Sequence, residues 1–226
     1  MIPREPRVWR NILVALASGA LCSLVSTNVH ADPLAPAAEP SEELERSARN
    51  NEFIQFGVAV TTEFVAGGNG LCSGDSKVVP HCLLGSGAGL VFPRVGWRSP
   101  GHWYIGGAYE FSKQDASTVY LLPILQQLRG EARYYFLQGH VGTPFVEGSV
   151  GVAGYGNEWT VDAYGPAASL ALGVEAQISQ NTVVGVTLAY RGIHFTGFTD
   201  SAGNDRDAGF TQLLGLNVLL EARDPY

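Results

Sequence analysis

From Glu52 onward the chain repeats one pattern, long runs in which apolar side chains alternate with small or charged ones. In the clearest run, Phe210, Leu214, Leu216, Val218, Leu220 and Ala222 share one parity, while Thr211, Gly215, Asn217 and Glu221 take the other. A β-strand turns successive side chains to opposite faces, so a period of two predicts strands with two chemically different faces. The same reading places strands at about 52–66, 86–98, 102–112, 124–137, 143–156, 165–178, 182–196 and 209–222. Eight strands follow. The segments between them alternate in length: 99–101, 138–142 and 179–181 are short, whereas 67–85, 113–123, 157–164 and 197–208 are longer. No helical domain, internal repeat or second globular domain is evident.

One face is consistently apolar. Ile54, Phe56, Val58, Val60 and Phe64 lie together on the first strand, Ala168, Leu170, Leu172, Val174 and Ile178 on the sixth, and Val184, Val186, Leu188 and Tyr190 on the seventh. The opposite face carries Gly, Ala, Ser and Thr with nearly every strand charge: Glu63, Arg94, Arg98, Glu110, Arg129, Glu131, Arg133, Glu147, Glu175, Arg191 and Glu221. Two closed barrels satisfy this pattern. In a soluble, lipocalin-like binder the apolar face lines a cavity and the charged face meets water. In a membrane barrel the apolar face meets lipid and the charges fill the interior. A solvent face would be rich in Lys and Glu, whereas this polar face is dominated by small residues, which suit a crowded lumen. The near balance of Arg and Glu then predicts an interior ion-pair network, because isolated charges there would be prohibitive. Aromatic residues add two bands: Trp97, Trp103, Tyr134 and Phe136 by the short turns, and Phe64, Tyr109, Phe111, Tyr155 and Tyr190 toward the long segments.

The N-terminus changes the picture by implying export. Arg4, Arg7 and Arg10 precede an apolar core from Ile12 to Val25 and a small-residue site at Val29-His30-Ala31, as in a cleaved secretory signal over residues 1–31. Cys22 does not make a lipoprotein site, since Leu21 is bulky where a small residue is needed. Residues 32–51 read as a periplasmic disordered lead-in, with a short helix possible over 41–49, and residues 52–226 as the barrel. Loss of the signal leaves Cys72 and Cys82, a pair in an exported chain, so a disulfide is expected in the first long loop. His81 beside them does not complete a zinc spacing, and neither a metal nor a cofactor is expected. Net charge is -7, becoming about -9 once the signal's three Arg and one Glu are removed, and Lys77 and Lys113 are the only lysines. That excludes nucleic acid as an expected partner.

Over about residues 52–222 the pattern resembles the small eight-stranded outer-membrane β-barrels of the OmpA/OmpX type. The last strand, with Gly215 followed by Val218 and Leu220, is similar to the insertion signal read by the barrel assembly machinery, although here Asp224-Pro225 is expected to break the strand before Tyr226. The resemblance implies an all-β, eight-stranded antiparallel up-and-down transmembrane barrel in the outer membrane of a Gram-negative bacterium. It also implies outer-membrane lipid, lipopolysaccharide and the assembly machinery as partners.

Three activities bear on this pattern. His194 and Thr196, with Asp200, Asp205 and Asp207 following, are similar to the His-x-Ser arrangement of outer-membrane lipid A deacylases; His194 would act as base, Thr196 as nucleophile and Asp207 as orienting acid. Thr replaces Ser and no acid has a fixed register, so these are read as rim residues and no enzymatic activity is expected. A conduit lined by the arginines conflicts with the narrowness of an eight-stranded lumen. Binding through the long loops, including the Gly-rich turn 67–70, names no extracellular ligand. The expected role is structural or loop-mediated binding.

Overall fold

The computed structural model describes residues 53–69, 84–114, 120–137, 142–179, 181–200, 203 and 205–225. The signal, the lead-in, Cys72 and Cys82 lie outside these residues. Ten strands occur in chain order: β1 (Phe53–Asn69), β2 (Gly87–Arg98), β3 (Trp103–Gln114), β4 (Pro123–Tyr135), β5 (Gly142–Asn157), β6 (Ala163–Ser179), β7 (Thr182–Phe195), β8 (Phe198–Thr199), β9 (Asp205–Arg206) and β10 (Gly209–Pro225). Eight of them, β1 to β7 and β10, close into one antiparallel barrel in which each strand pairs with its neighbour in sequence and β10 returns to β1. Closure runs from Phe53↔Pro225 to Asn69↔Thr211. A closed sheet has no free edge, as a hydrocarbon environment requires.

Most strand boundaries fall within a few residues of those read from the pattern. The last strand is the main departure, because it continues through Asp224 to Pro225. Proline lacks the N–H a ladder uses, and as the terminal residue of the strand it interrupts no pairing beyond it. The ladder is prolonged on its other side as well, where the Arg223 N–H donates to the Asn181 carbonyl at 2.8 Å. The Gly-rich segment read as a turn also belongs partly to the wall. Gly67 and Asn69 continue β1 against Gln212 and Thr211 through two register shifts. In β2, alternation fails at Phe92-Pro93, where both residues face outward and the pairing with β3 jumps from Val91 to Arg94. Pro93 cannot donate to a ladder, and the bulge lets the strand accommodate it and resume its phase. The segment between β7 and β10 forms the small β8–β9 hairpin.

The apolar parity faces out. Phe56, Val60, Leu128, Val150, Val152, Leu170, Leu172 and Leu188 are all more than half exposed, in a band around the middle of the wall. This is the reverse of the soluble alternative, in which these residues would line a cavity. Trp103, Tyr134 and Phe136 cluster at the short-turn end, with ring centroids 5.1 and 5.6 Å apart, and His102 stacks on Tyr134. At the opposite end Phe64, Tyr164, Tyr190 and Phe210 are exposed on the wall. Tyr155 does not belong to that band: it sits on the inward parity and is fully buried in the lumen.

Candidate functional site

Inward positions divide the lumen into layers. Nearest the short turns, Arg98 and Arg223 both bond Glu175 at 2.5 Å, and the Arg98 guanidinium lies 3.8 Å from the Tyr135 ring centroid. Above them Arg94 pairs with Glu131 at 2.5 Å and also with Glu147. Arg133 pairs with Glu147 and Glu221, each at 2.8 Å. Arg133 is also held near the rings of Tyr104 and Phe145, 4.8 and 4.9 Å from their centroids. Next, Arg129 bonds Glu110 and lies 3.6 Å from Glu131, while Arg191 bridges Glu110 at 2.8 Å and Glu63 at 2.5 Å. Ion pairs therefore run without a break from Glu63 to Glu221.

Neutral side chains add donors to three of the carboxylates. Gln55 donates to Glu221 at 2.9 Å, the Tyr104 hydroxyl to Glu131 at 3.1 Å, and Ser112 and Gln114 to Glu63 at 2.6 and 2.8 Å. Paired and hydrogen-bonded charges are the only kind a buried lumen tolerates. Arg223 is the member that the pattern did not supply, since the last strand was expected to stop short of it. It shares the parity of Glu221, so extending the alternation by one more pair would have found it. With Arg223 the described lumen holds six arginines against six glutamates and is electrically neutral. Nothing in such a lining selects for the sign of a solute.

Small residues on the inner face make room for this network. A Cβ built on Gly106 would lie 2.6 Å from the Val95 carbonyl oxygen and 2.7 Å from Cζ of Tyr104. Gly106→Ala therefore pushes Tyr104 off Glu131, and we expect a loss of about 1–3 kcal/mol in urea unfolding of the detergent-solubilised barrel.

The end of the lumen nearest the longer segments is apolar. Leu84, Tyr120, Leu125, Tyr155, Ile193, Phe195 and Leu213 form one buried cluster, with Val65 and Phe198 packed against it. Tyr155 contacts Tyr120 and Phe195, at ring centroid distances of 5.7 and 6.4 Å. The Tyr120 hydroxyl donates to Asp162 at 2.6 Å; burial and this carboxylate push its pKa well above the ordinary phenol value, so it stays a donor. Beside the cap, Arg206 donates to Asp200 at 2.9 and 3.0 Å within the β8–β9 hairpin.

The rim residues considered for catalysis do not converge. His194 is exposed on the outer wall, opposite Phe210, and makes no hydrogen bond to Thr196 or Asp207. The Thr196 hydroxyl instead donates to the Tyr164 carbonyl at 3.1 Å. Asp200 is engaged by Arg206, and Asp205 accepts from Thr199 at 2.8 Å. Among the described residues no group of three or more His, Cys, Asp or Glu is placed to hold a metal ion.

No protein-family model matches the sequence, and no curated protein does either. Solved structures do match. Neisserial surface protein A aligns with a TM-score of 0.51 at 14% identity, over 76% of this chain and 96% of that one. The outer membrane protein OprG from Pseudomonas aeruginosa aligns with a TM-score of 0.50 at 10% identity, over 78% and 97%. At such identities the likeness concerns the path of the backbone. Together with the outward apolar band and the inward charges, it gives this chain the fold of the small eight-stranded outer-membrane β-barrels.

Proposed function

We propose that this chain is an integral outer-membrane protein with a structural or loop-mediated binding role and no catalytic step. The observation that carries the reading is the pairing of an exposed apolar wall with a neutral lumen crossed by ion pairs and capped by an apolar cluster. A soluble protein rarely exposes a continuous apolar band of this extent, whereas lipid solvates it at no cost. An eight-stranded interior packed with side chains has little room for a solute, so this reading gives contact with the surroundings to the outer wall and the segments beyond the strands. The strand ends joined by the longer connections lie at one rim, as in outer-membrane barrels with long extracellular loops, and a rigid wall is a good scaffold for recognition by loops.

Fractionation of producing cells, followed by gel mobility of unheated and boiled samples, tests this reading. We expect recovery with the outer membrane and a faster-migrating unheated band that converts on boiling. Recovery as a soluble periplasmic species with no heat-dependent shift would overturn it.

A further inference from the structure

One groove on the outer wall differs from the rest of the apolar band. It lies at the long-segment ends of β2, β3 and β4 and encloses about 370 Å³ between Leu90, Phe111, Leu122, Ile124, Trp159 and Lys113. That volume is at the lower end of small-ligand pockets. Its floor is unusual. Ile124 points outward, yet it is only 6% exposed, whereas the outward positions Leu128 and Gly130 of the same strand are open. The overhang comes from the turn after β5. Glu158 takes a left-handed backbone (φ 56°), its N–H donates to the Leu122 carbonyl at 2.6 Å, and the Leu122 N–H is held by the Asn157 side chain at 3.0 Å. A non-glycine residue in that conformation is uncommon and must be held by its surroundings. The turn sends Trp159 out over the wall, where its ring lies 5.9 Å from that of Phe111.

Charge at the groove is equally distinctive. Every described arginine is buried, and Lys113 is the one described Lys or Arg that is exposed. It forms no ion pair with a described residue. The other exposed charges toward this rim, Glu158, Asp205 and Asp207, are acidic and repel an anion. An apolar slot with a single cation at its edge matches an acylated, phosphorylated lipid. The acyl chain lies in the slot and the phosphate meets the ammonium.

We propose that this groove is a binding site for one phosphorylated, multiply acylated glycolipid of the lipid A class in the outer leaflet, with Lys113 on its phosphate and Trp159 closing over an acyl chain. This rests on the outer-membrane reading above. Membrane-extracted protein carrying Trp97→Phe and Trp103→Phe and freed of residues 1–31 with Trp9, so that Trp159 reports, is titrated in detergent with bisphosphorylated lipid A, dephosphorylated lipid A and phosphatidylglycerol while fluorescence is followed. Lys113→Gln and removal of the phosphates should each weaken binding about tenfold, as expected for one charge-assisted contact, and should not add to one another. Lys113→Arg should retain most of the affinity. Equal binding of both lipid A forms by wild type and Lys113→Gln would overturn the site, as would phosphatidylglycerol binding as tightly as lipid A. Each variant is first checked for the heat-shifted band. If that band is present and discrimination absent, only the lipid site fails; a chain that stays soluble and never shifts overturns both readings.

Discussion

Replacing Arg133 with Met should destabilise the folded barrel by about 3 kcal/mol, the lower end of the range for breaking a buried ion pair. The guanidinium is completely buried and serves two carboxylates, Glu147 and Glu221, while lying near the rings of Tyr104 and Phe145. Met fills most of the volume, so the loss is electrostatic. Glu147 would keep Arg94, but Glu221 would be left with Gln55 and with Arg94 at 3.7 Å, too far for a direct hydrogen bond. That predicts a second result. Adding Glu221→Gln to Arg133→Met should recover more than about 1 kcal/mol, because it neutralises the stranded charge. Urea unfolding of the protein in lipid vesicles measures both. A loss below about 1 kcal/mol for Arg133→Met would mean that water reaches the lumen and screens it.

Arginine introduced on the opposite face should be nearly as damaging, and only in the middle of the wall. Val150 is outward on β5, 69% exposed and near the centre of its strand. Val150→Arg should cost about 2–4 kcal/mol if that position lies in the hydrocarbon midplane, whereas Tyr164→Arg at the rim should cost about 0–1 kcal/mol. The contrast between the two positions carries the information, since a general intolerance of arginine would affect both alike. Equal, small losses in the same unfolding assay would show that the wall faces water.

The sequence was legible where the period of two ran unbroken. β6, β7 and β10 alternate so regularly that the parity of Leu170, Val186 and Leu216 could be assigned without reference to any partner strand. It was less legible where a residue type fits both faces. Tyr104, Phe145, Tyr155, Leu213 and Leu219 are apolar and point inward, so only the parity they share with neighbouring polar positions, and not their residue type, separates them from the outward-facing set. They fill the space between ion pairs, which is a property of the closed barrel and not of any one segment. Local signals also misled. Asp224-Pro225 reads as a strand breaker, yet pairing with Phe53 and Ile54 carries β10 through it and brings Arg223 onto Glu175. The outer-wall groove was hidden for a similar reason: Lys113 and Trp159 lie far apart in sequence and meet only because the turn at Glu158 folds outward.

The ion pairs in the lumen mostly join strands that are not neighbours. Arg133 on β4 reaches Glu221 on β10, Arg94 on β2 reaches Glu147 on β5, Arg191 on β7 reaches Glu110 on β3, and Arg98 on β2 reaches Glu175 on β6. A sheet that has not yet curled shut cannot make any of these contacts, whatever its local pairing. During assembly such a sheet would hold its arginines and glutamates unmatched, and exposing them to hydrocarbon would be costly. On the outer-membrane reading, that geometry favours strands that enter the bilayer together with closure over insertion one hairpin at a time, with the seam between the first and last strands completing the ion pairs across the interior.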